Sequence, residues 1–372
     1  MKFAILLHPS EIVAAVGDCG TCIQFTSYKK MVEINTTELT EDEAELYDRQ
    51  IRLWGLDSQK RLRKSKILLV GIKGIGAEIC KNIILAGVKS VTILDNGVVT
   101  DEDSCSQFLA PRDQIGKNRA EASLSRAQQL NPMVQVTADS EDVADKPDTF
   151  FGDFDVICAT ECPVEQLIRI NQVCREKSIK FFCCDVFGMF GYTFTDLQIH
   201  EYAEEVTVHN IASIQDCEGP AKKIAKVDPV KVTTKRTATF VPLQDVLDVD
   251  WSSETYIKRL PKTDCSYFLM RVLLRFRSKC GHDPSPKKRQ EDIKELCSIR
   301  NEVLAKLEVP VDKVPDELFS HVFAELSPAC AIVGGVMAQE IIKAVSQKES
   351  PHNNMFFFNP TKNVGFVDCI GH

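Results

Sequence analysis

Lys66–Asp95 reads KILLVGIKGIGAEICKNIILAGVKSVTILD, and this stretch decides the fold. A short apolar strand, Ile67–Val70, runs into a glycine turn, Gly71-Ile72-Lys73-Gly74-Ile75-Gly76. An amphipathic helix follows, then a second strand ending in Asp95. This is the sequence of a nucleotide-binding βαβ unit. The glycines let the backbone approach a phosphate, the helix N-terminus presents free N–H groups, and the strand-end acid meets a ribose hydroxyl. The turn reads G-x-x-G-x-G rather than G-x-G-x-x-G, and Lys73 stands where dinucleotide binders carry a small residue. The plainer alternative is that the glycines only permit close helix–strand packing and hold no ligand.

The pattern continues outward on both sides. Upstream, Thr40-Glu41-Asp42-Glu43 fits a capping box with Thr40 at the N-cap and Glu43 at N3. A helix then places Ala44, Tyr47, Ile51 and Trp54 on one stripe and ends at Gly55, and a short basic helix over Ser58–Lys64 leads into the first strand. Downstream, Lys117–Leu130 reads as a helix with Ala120, Leu124, Ala127 and Leu130 inward, stopped by Asn131-Pro132. Val134–Thr137, Asp155–Cys158 and Lys180–Asp185 read as strands and Val164–Lys177 as a helix. Such alternation predicts an α/β fold with a mostly parallel sheet covered on both faces. Phe187–Leu197, aromatic and carrying Gly188 and Gly191, suits an antiparallel extension.

Beyond it the character changes. Cys217–Lys235 is rich in Lys, Pro and Thr without periodicity, and reads as a linker or mobile loop. Its basic residues, Lys222, Lys223, Lys226, Lys231, Lys235 and Arg236, suit either a nuclear import signal or a solvated loop. Helices are expected at Tyr267–Arg277, along the Ile293, Leu296, Ile299, Val303 and Leu307 stripe, and at Pro315–Leu326. Ala329–Ser346 is a further apolar helix, and Met355–Phe358 and Gly365–Cys369 are closing strands.

At 372 residues the chain has room for two or three structural units. A net charge of -8 argues against a generic nucleic-acid binder, whose phosphate contacts need a basic surface. No apolar run reaches the roughly 18 residues that span a membrane. Fifteen cysteines are scattered through predicted strands and helices, and no signal peptide is evident, so reduced thiols of an intracellular protein are expected. Met1–Leu7 is apolar but is cut short at His8-Pro9, and residues 1–30 read as a disordered tail or an alternative start before Met31. Cys19-Gly20-Thr21-Cys22 lacks a second CxxC, so no zinc site is expected there.

Several blocks carry a resemblance: YDRQIRLWG (Tyr47–Gly55), LLVGIKGIGAEI (Leu68–Ile79), NRAEASLSRAQQLNPMV (Asn118–Val134), KFFCCDVFGMFGYTF (Lys180–Phe194), CAIVGGVMAQEIIKA (Cys330–Ala344) and HNNMFFF (His352–Phe358). From Thr40 to the C-terminus the chain resembles the smaller, non-thioester-forming subunits of the SUMO-activating enzymes. These belong to the ubiquitin-like activating enzyme family, which descends from the ThiF/MoeB-type adenylyltransferases. The resemblance implies a Rossmann-like adenylation-type half over residues 36–212, after a tail at 1–35. It further implies a basic linker at 213–238, a helical insertion at 239–326 paired with the partner's cysteine domain, and a return to the α/β domain at 327–372.

It also implies a heterodimer whose larger catalytic subunit binds most of the Mg-ATP. That enzyme adenylates the C-terminal glycine of SUMO and captures it on a cysteine of the larger subunit, with the nucleus as the expected compartment and the cytoplasm as the alternative. No membrane or nucleic-acid partner is implied. Active halves of the family carry an N-x-x-R-Q-F loop after the strand-end acid. Here Asp103 replaces the asparagine and Ser106 the arginine, while Gln107 and Phe108 remain. A carboxylate and a hydroxyl cannot replace a bidentate cation facing a polyphosphate. The C-T-x-R-x-P cysteine motif is absent, and Cys162, Cys183 and Cys184 read as buried structural thiols.

Gly71, Gly74, Gly76 and Asp95 are therefore expected to form a degenerate nucleotide motif. What the chain would contribute is Arg49, an arginine finger reaching partner-bound ATP, with Arg52 in support. At 100° per residue Arg49 lies opposite the Tyr47–Ile51–Trp54 stripe, so the apolar face can dock while Arg49 points outward. The alternatives are a self-sufficient homodimeric adenylyltransferase or nicotinamide-dependent oxidoreductase, and a pure scaffold in which Arg49 does nothing.

Overall fold

The structure, a computed structural model, describes residues 39–208, 230–362 and 364–372. The expected tail, Cys19, Cys22, Lys222, Lys223 and Lys226 lie outside the described residues.

The capping box forms: Thr40 Oγ1 accepts the Glu43 N–H at 3.2 Å, and the Glu43 carboxylate accepts the Thr40 N–H at 3.0 Å. The helix expected through Trp54 is broken, however, into α1 (Glu41–Leu46) and α2 (Asp48–Trp54), with Tyr47 between them. Ala44 is exposed rather than inward, because the break turns Glu43 into the protein, where it pairs with Arg63. Gly55 separates α2 from α3 (Leu56–Leu62).

The βαβ unit follows as β1 (Lys66–Val70), α4 (Gly74–Leu85) and β2 (Ser90–Leu94). Then come α5 (Arg119–Leu130), β3 (Gln135–Asp139), β4 (Val156–Ala159), α6 (Val164–Glu176), β5 (Lys180–Phe187) and β6 (Phe190–Asp196). β7 (Ile199–Val208) and β8 (Val230–Thr239) form a separate antiparallel ribbon. Residues 230–238 of the expected linker are thus strand, not loop. The sequence hid this because Thr233–Thr237 are all exposed, so no inward face imposes an apolar alternation.

The insertion holds α7 (Leu243–Leu247), α8 (Glu254–Arg259), α9 (Cys265–Cys280) and α10 (Arg289–Lys306). The helix expected at Pro315–Leu326 is instead one 3₁₀ stretch, Asp316–His321. Its carbonyls are needed elsewhere: His321 accepts the Met189 N–H at 2.9 Å, and Ala324 accepts the Gly188 N–H at 2.6 Å. A segment that lends its backbone to the β5–β6 turn cannot close its own helical bonds. The chain ends with α11 (Ser327–Ser346), β9 (Met355–Asn359) and β10 (Val364–Asp368).

One eight-stranded sheet runs β10-β9-β6-β5-β4-β1-β2-β3. β3, β2, β1, β4 and β5 are parallel, and β6, β9 and β10 are antiparallel. Alternate residues feed two cores. Leu68, Val70, Phe181 and Cys183 join the insertion helices on one face, while Ile67, Leu69, Phe182 and Cys184 meet α4 and α11 on the other. Burial on both faces explains why these strands read as unbroken apolar runs.

Candidate nucleotide site and arginine face

The glycine turn sits where the C-terminal ends of β1 and β4 open, the usual ligand position of a doubly wound sheet. Gly71 takes φ +84°, and a Cβ there would stand 2.3 Å from Thr160 Oγ1. A Cβ on Gly74 would stand 2.3 Å from Ser106 Oγ, and one on Gly76 2.3 Å from the Gly71 carbonyl oxygen. Close packing therefore demands all three glycines, whatever they bind.

The groups that would greet a nucleotide are already engaged. Asp95 accepts the Ile72 N–H at 2.9 Å and the Gly97 N–H at 2.7 Å, and pairs with Arg119 Nη1 at 2.9 Å. Its lone pairs are not free for a ribose. Glu161 accepts the Lys73 N–H at 3.1 Å and holds the Lys73 ammonium at 2.8 Å. Glu325 accepts the Ile75 N–H at 3.2 Å. Two acidic side chains of this chain thus occupy the N-terminal N–H groups of α4, where a nucleotide would place its phosphates. Glu161 adopts φ +61°, an unfavourable backbone for a residue with a Cβ, and its N–H donates to Asp185 at 2.7 Å.

A charged network extends from there. Arg277, buried, pairs with Asp185 at 2.8 Å and Asp283 at 2.6 Å, and Asp283 lies 3.8 Å from Lys73. Arg119 also approaches Asp103 at 3.4 Å. Burial opposes the charge on Lys73, yet Glu161, Asp283 and Glu325 together raise its pKa above the ordinary lysine value. Burial, aided by the charge of Glu161, pushes Glu325 up to about 8. Burial also raises Glu161.

A cleft of about 310 Å³ beside the turn is lined by Asp95, Glu141, Asp142 and Glu161 against Lys73 and Arg119. That donor set does not fit a polyphosphate: the N–H groups are occupied and the ammonium is neutralised from within, and Asp95, Glu141 and Asp142 add negative charge to the walls. In the altered loop, Asp103 accepts the Thr100 N–H at 2.7 Å. Gln107 donates to the Ile72 carbonyl at 2.7 Å, shoring up the turn from below. Cys162, Cys183 and Cys184 are buried, and burial raises all three thiols, which leaves them inert.

Arg49 lies elsewhere. Its helix packs at the C-terminal end of α4, where Gln50 Nε2 donates to the Leu85 carbonyl at 3.0 Å. The twelve residues of α4 put that end about 18 Å from the glycine turn. Arg49 is exposed and makes no ion pair among the described residues. Arg52, one turn on, is paired with Asp48 at 3.0 Å. Leu53, beside them, is 71% exposed.

The structure thus keeps Gly71, Gly74, Gly76 and Asp95 together and sets Arg49 and Arg52 apart from them. Glu161, Asp283, Arg119, Arg277 and Glu325 were not singled out in the sequence. Glu161 and Asp185 had one usable signal: acids at the C-terminal ends of apolar strands, where ligands of such sheets bind.

The ThiF family model matches residues 47–369. SUMO-activating enzyme subunit 1 of Xenopus laevis is 49% identical over 342 residues, covering 92% of this chain and 99% of its own length. The Homo sapiens protein of that name is 50% identical over 334 residues, covering 90% of this chain and 96% of its own. The solved structure of E. coli MccB with succinimide covers 87% of this chain and 71% of its own at a TM-score of 0.48 and 11% identity.

Proposed function

The chain belongs to the ThiF family, and from that premise we propose that it is the activating subunit of a heterodimeric SUMO-activating enzyme. The observation that carries this reading is identity near 50% along almost the whole of both chains. The larger subunit would bind Mg-ATP. There a carboxylate oxygen of the SUMO C-terminal glycine bonds to the α-phosphorus as the bond to pyrophosphate breaks. A cysteine thiolate of the larger subunit then attacks the acyl carbon, forming a thioester as the bond to AMP breaks and AMP leaves.

In this division of labour the present chain supplies Arg49 in trans. Its guanidinium would meet the polyphosphate as negative charge shifts toward the leaving pyrophosphate. Two features support the assignment. The chain's own cradle is filled by Glu161 and Glu325, and Arg49 sits at the far end of α4, exposed and without an ion pair among the described residues. The same filled cradle disfavours a self-sufficient nucleotide enzyme. Arg52, already paired, would at most steady the interface. Nuclear residence follows from the proposed pathway, and imaging of a tagged chain with and without Lys231, Lys235 and Arg236 checks the contribution of those residues.

The test is SUMO-dependent ATP–pyrophosphate exchange by the assembled pair. Arg49→Ala should still assemble and should lose most exchange, and the chain alone should show none. Normal exchange by assembled Arg49→Ala would leave a scaffold role, and exchange by the isolated chain would revive the self-sufficient enzyme.

A further inference from the structure

A seven-residue helix such as α2 has no independent stability in water, so the position of Arg49 is set by whatever pins that helix. The pins converge on Tyr47. Its side chain is 2% exposed, and its ring lies so close over Gly87 that a Cβ there would stand 2.5 Å from Tyr47 Cζ. Gly87 takes φ +80°, so the close approach and the turn after α4 both require glycine. The Tyr47 hydroxyl accepts a hydrogen bond from Asn131 Nδ2 at 2.8 Å. The same Nδ2 donates to the Ile84 carbonyl at 3.0 Å, and Asn131 Oδ1 accepts the Met133 N–H at 3.1 Å. Asn131 is 3% exposed, and both of its amide hydrogens are engaged.

One amide thus ties the start of α2 to the ends of both α4 and α5. The Gln50 bond to the Leu85 carbonyl, and the Gln59 bond to the Ala86 carbonyl at 2.9 Å, complete the seat. Arg49, about 200° around the helix from Tyr47, then has its direction fixed while keeping solvent on its own side. We propose that Tyr47 and Asn131 are positioning residues for Arg49, holding α2 at the angle from which its arginine reaches a neighbouring nucleotide. The proposal rests on the reading of Arg49 given above. It follows physically because a reacting geometry shifted by about 1 Å can cost on the order of 10²-fold in rate.

The experiment is a double-mutant cycle on the assembled enzyme, with SUMO-dependent ATP–pyrophosphate exchange as the readout and size exclusion confirming assembly. Tyr47→Phe removes only the hydroxyl, and should lower the exchange rate on the order of tenfold with the Michaelis constant for SUMO unchanged. In an Arg49→Ala background the same change should cost nothing further, since nothing remains to be positioned. Gln50→Ala, a milder loosening of the same seat, should follow the same pattern at smaller size and serves if Tyr47→Phe fails to assemble. An assembled Tyr47→Phe enzyme at full rate overturns the proposal, as does an equal loss in both backgrounds, which would mark a purely structural tyrosine. If Arg49→Ala itself exchanges normally, it is the underlying reading that fails.

Discussion

At the N-terminal end of α4, Lys73, Arg119 and Arg277 meet Asp95, Glu161, Asp185, Asp283 and Glu325 in a largely buried network. At its C-terminal end Arg49 faces solvent with no ion pair among the described residues. The first region holds the glycine motif by which nucleotide sites are recognised; the second holds the YDRQIRLWG block, with no nucleotide motif of its own. Burial forces charges to find partners, and once found they are not available for a ligand. A cation kept exposed and unpaired on a pinned helix costs the fold little and stays free for a group from outside. On the function proposed above, the glycine motif keeps the fold and the exposed arginine does the work.

The sharpest way to break that contrast is at Arg49. In the assembled enzyme Arg49→Ala should cost about 10³-fold in ATP–pyrophosphate exchange, the lower end for arginine fingers, with unchanged thermal stability. Next comes the opposite end. Asp185→Ala strips Arg277, the Glu161 N–H and the Tyr192 hydroxyl of a shared acceptor. It should cost about 3 kcal/mol in urea unfolding, because it leaves a buried charge short of a partner. Gly74→Ala, which drives a methyl into Ser106, should cost about 1–3 kcal/mol by the same measurement.

A smaller effect concerns pH. Glu325 has its folded pKa raised to about 8 from an ordinary 4.5, so the folded state keeps that proton longer than the unfolded chain. Its contribution is complete below the lower value and is lost as pH climbs through the upper one. Melting temperatures of wild type and Glu325→Gln should therefore diverge between those values, with wild type losing ground as pH rises. A parallel pair of curves would show that Glu325 titrates as it does in the unfolded chain. The smallest change expected is from Arg52→Ala. An exposed ion pair to Asp48 is worth at most about 0.5–1 kcal/mol, and exchange should stay close to wild type. A large loss of exchange there would mean that the work is shared between the two arginines.

The contrast also explains what the sequence could disclose. Strands buried on both faces, the capping box at Thr40 and the outward direction of Arg49 are local properties, written within a few residues of themselves. The carboxylates on the turn are not. Glu161 reaches Lys73 across 88 positions and Glu325 reaches Ile75 across 250, and no periodicity announces such meetings. The 3₁₀ stretch before α11 was misread as a full helix for the same reason, since its carbonyls serve a turn more than 130 positions earlier. Strand β8 escaped because Thr233–Thr237 are exposed on both faces and have no pattern to show.

The sheet order itself has a consequence for how the molecule is made. β6 pairs on one side with β5, and its other neighbour is β9, roughly 160 residues further along the chain. At a synthesis rate of about 5–20 residues per second, the open edge of β6 waits on the order of 8–30 s on the ribosome for its partner. For that interval an aromatic strand, Phe190-Gly191-Tyr192-Thr193-Phe194, offers unpaired backbone to any passing chain. Nascent-chain crosslinking from Phe194 should find chaperones there until β9 emerges, and truncation before Met355 should yield aggregates rather than a soluble half.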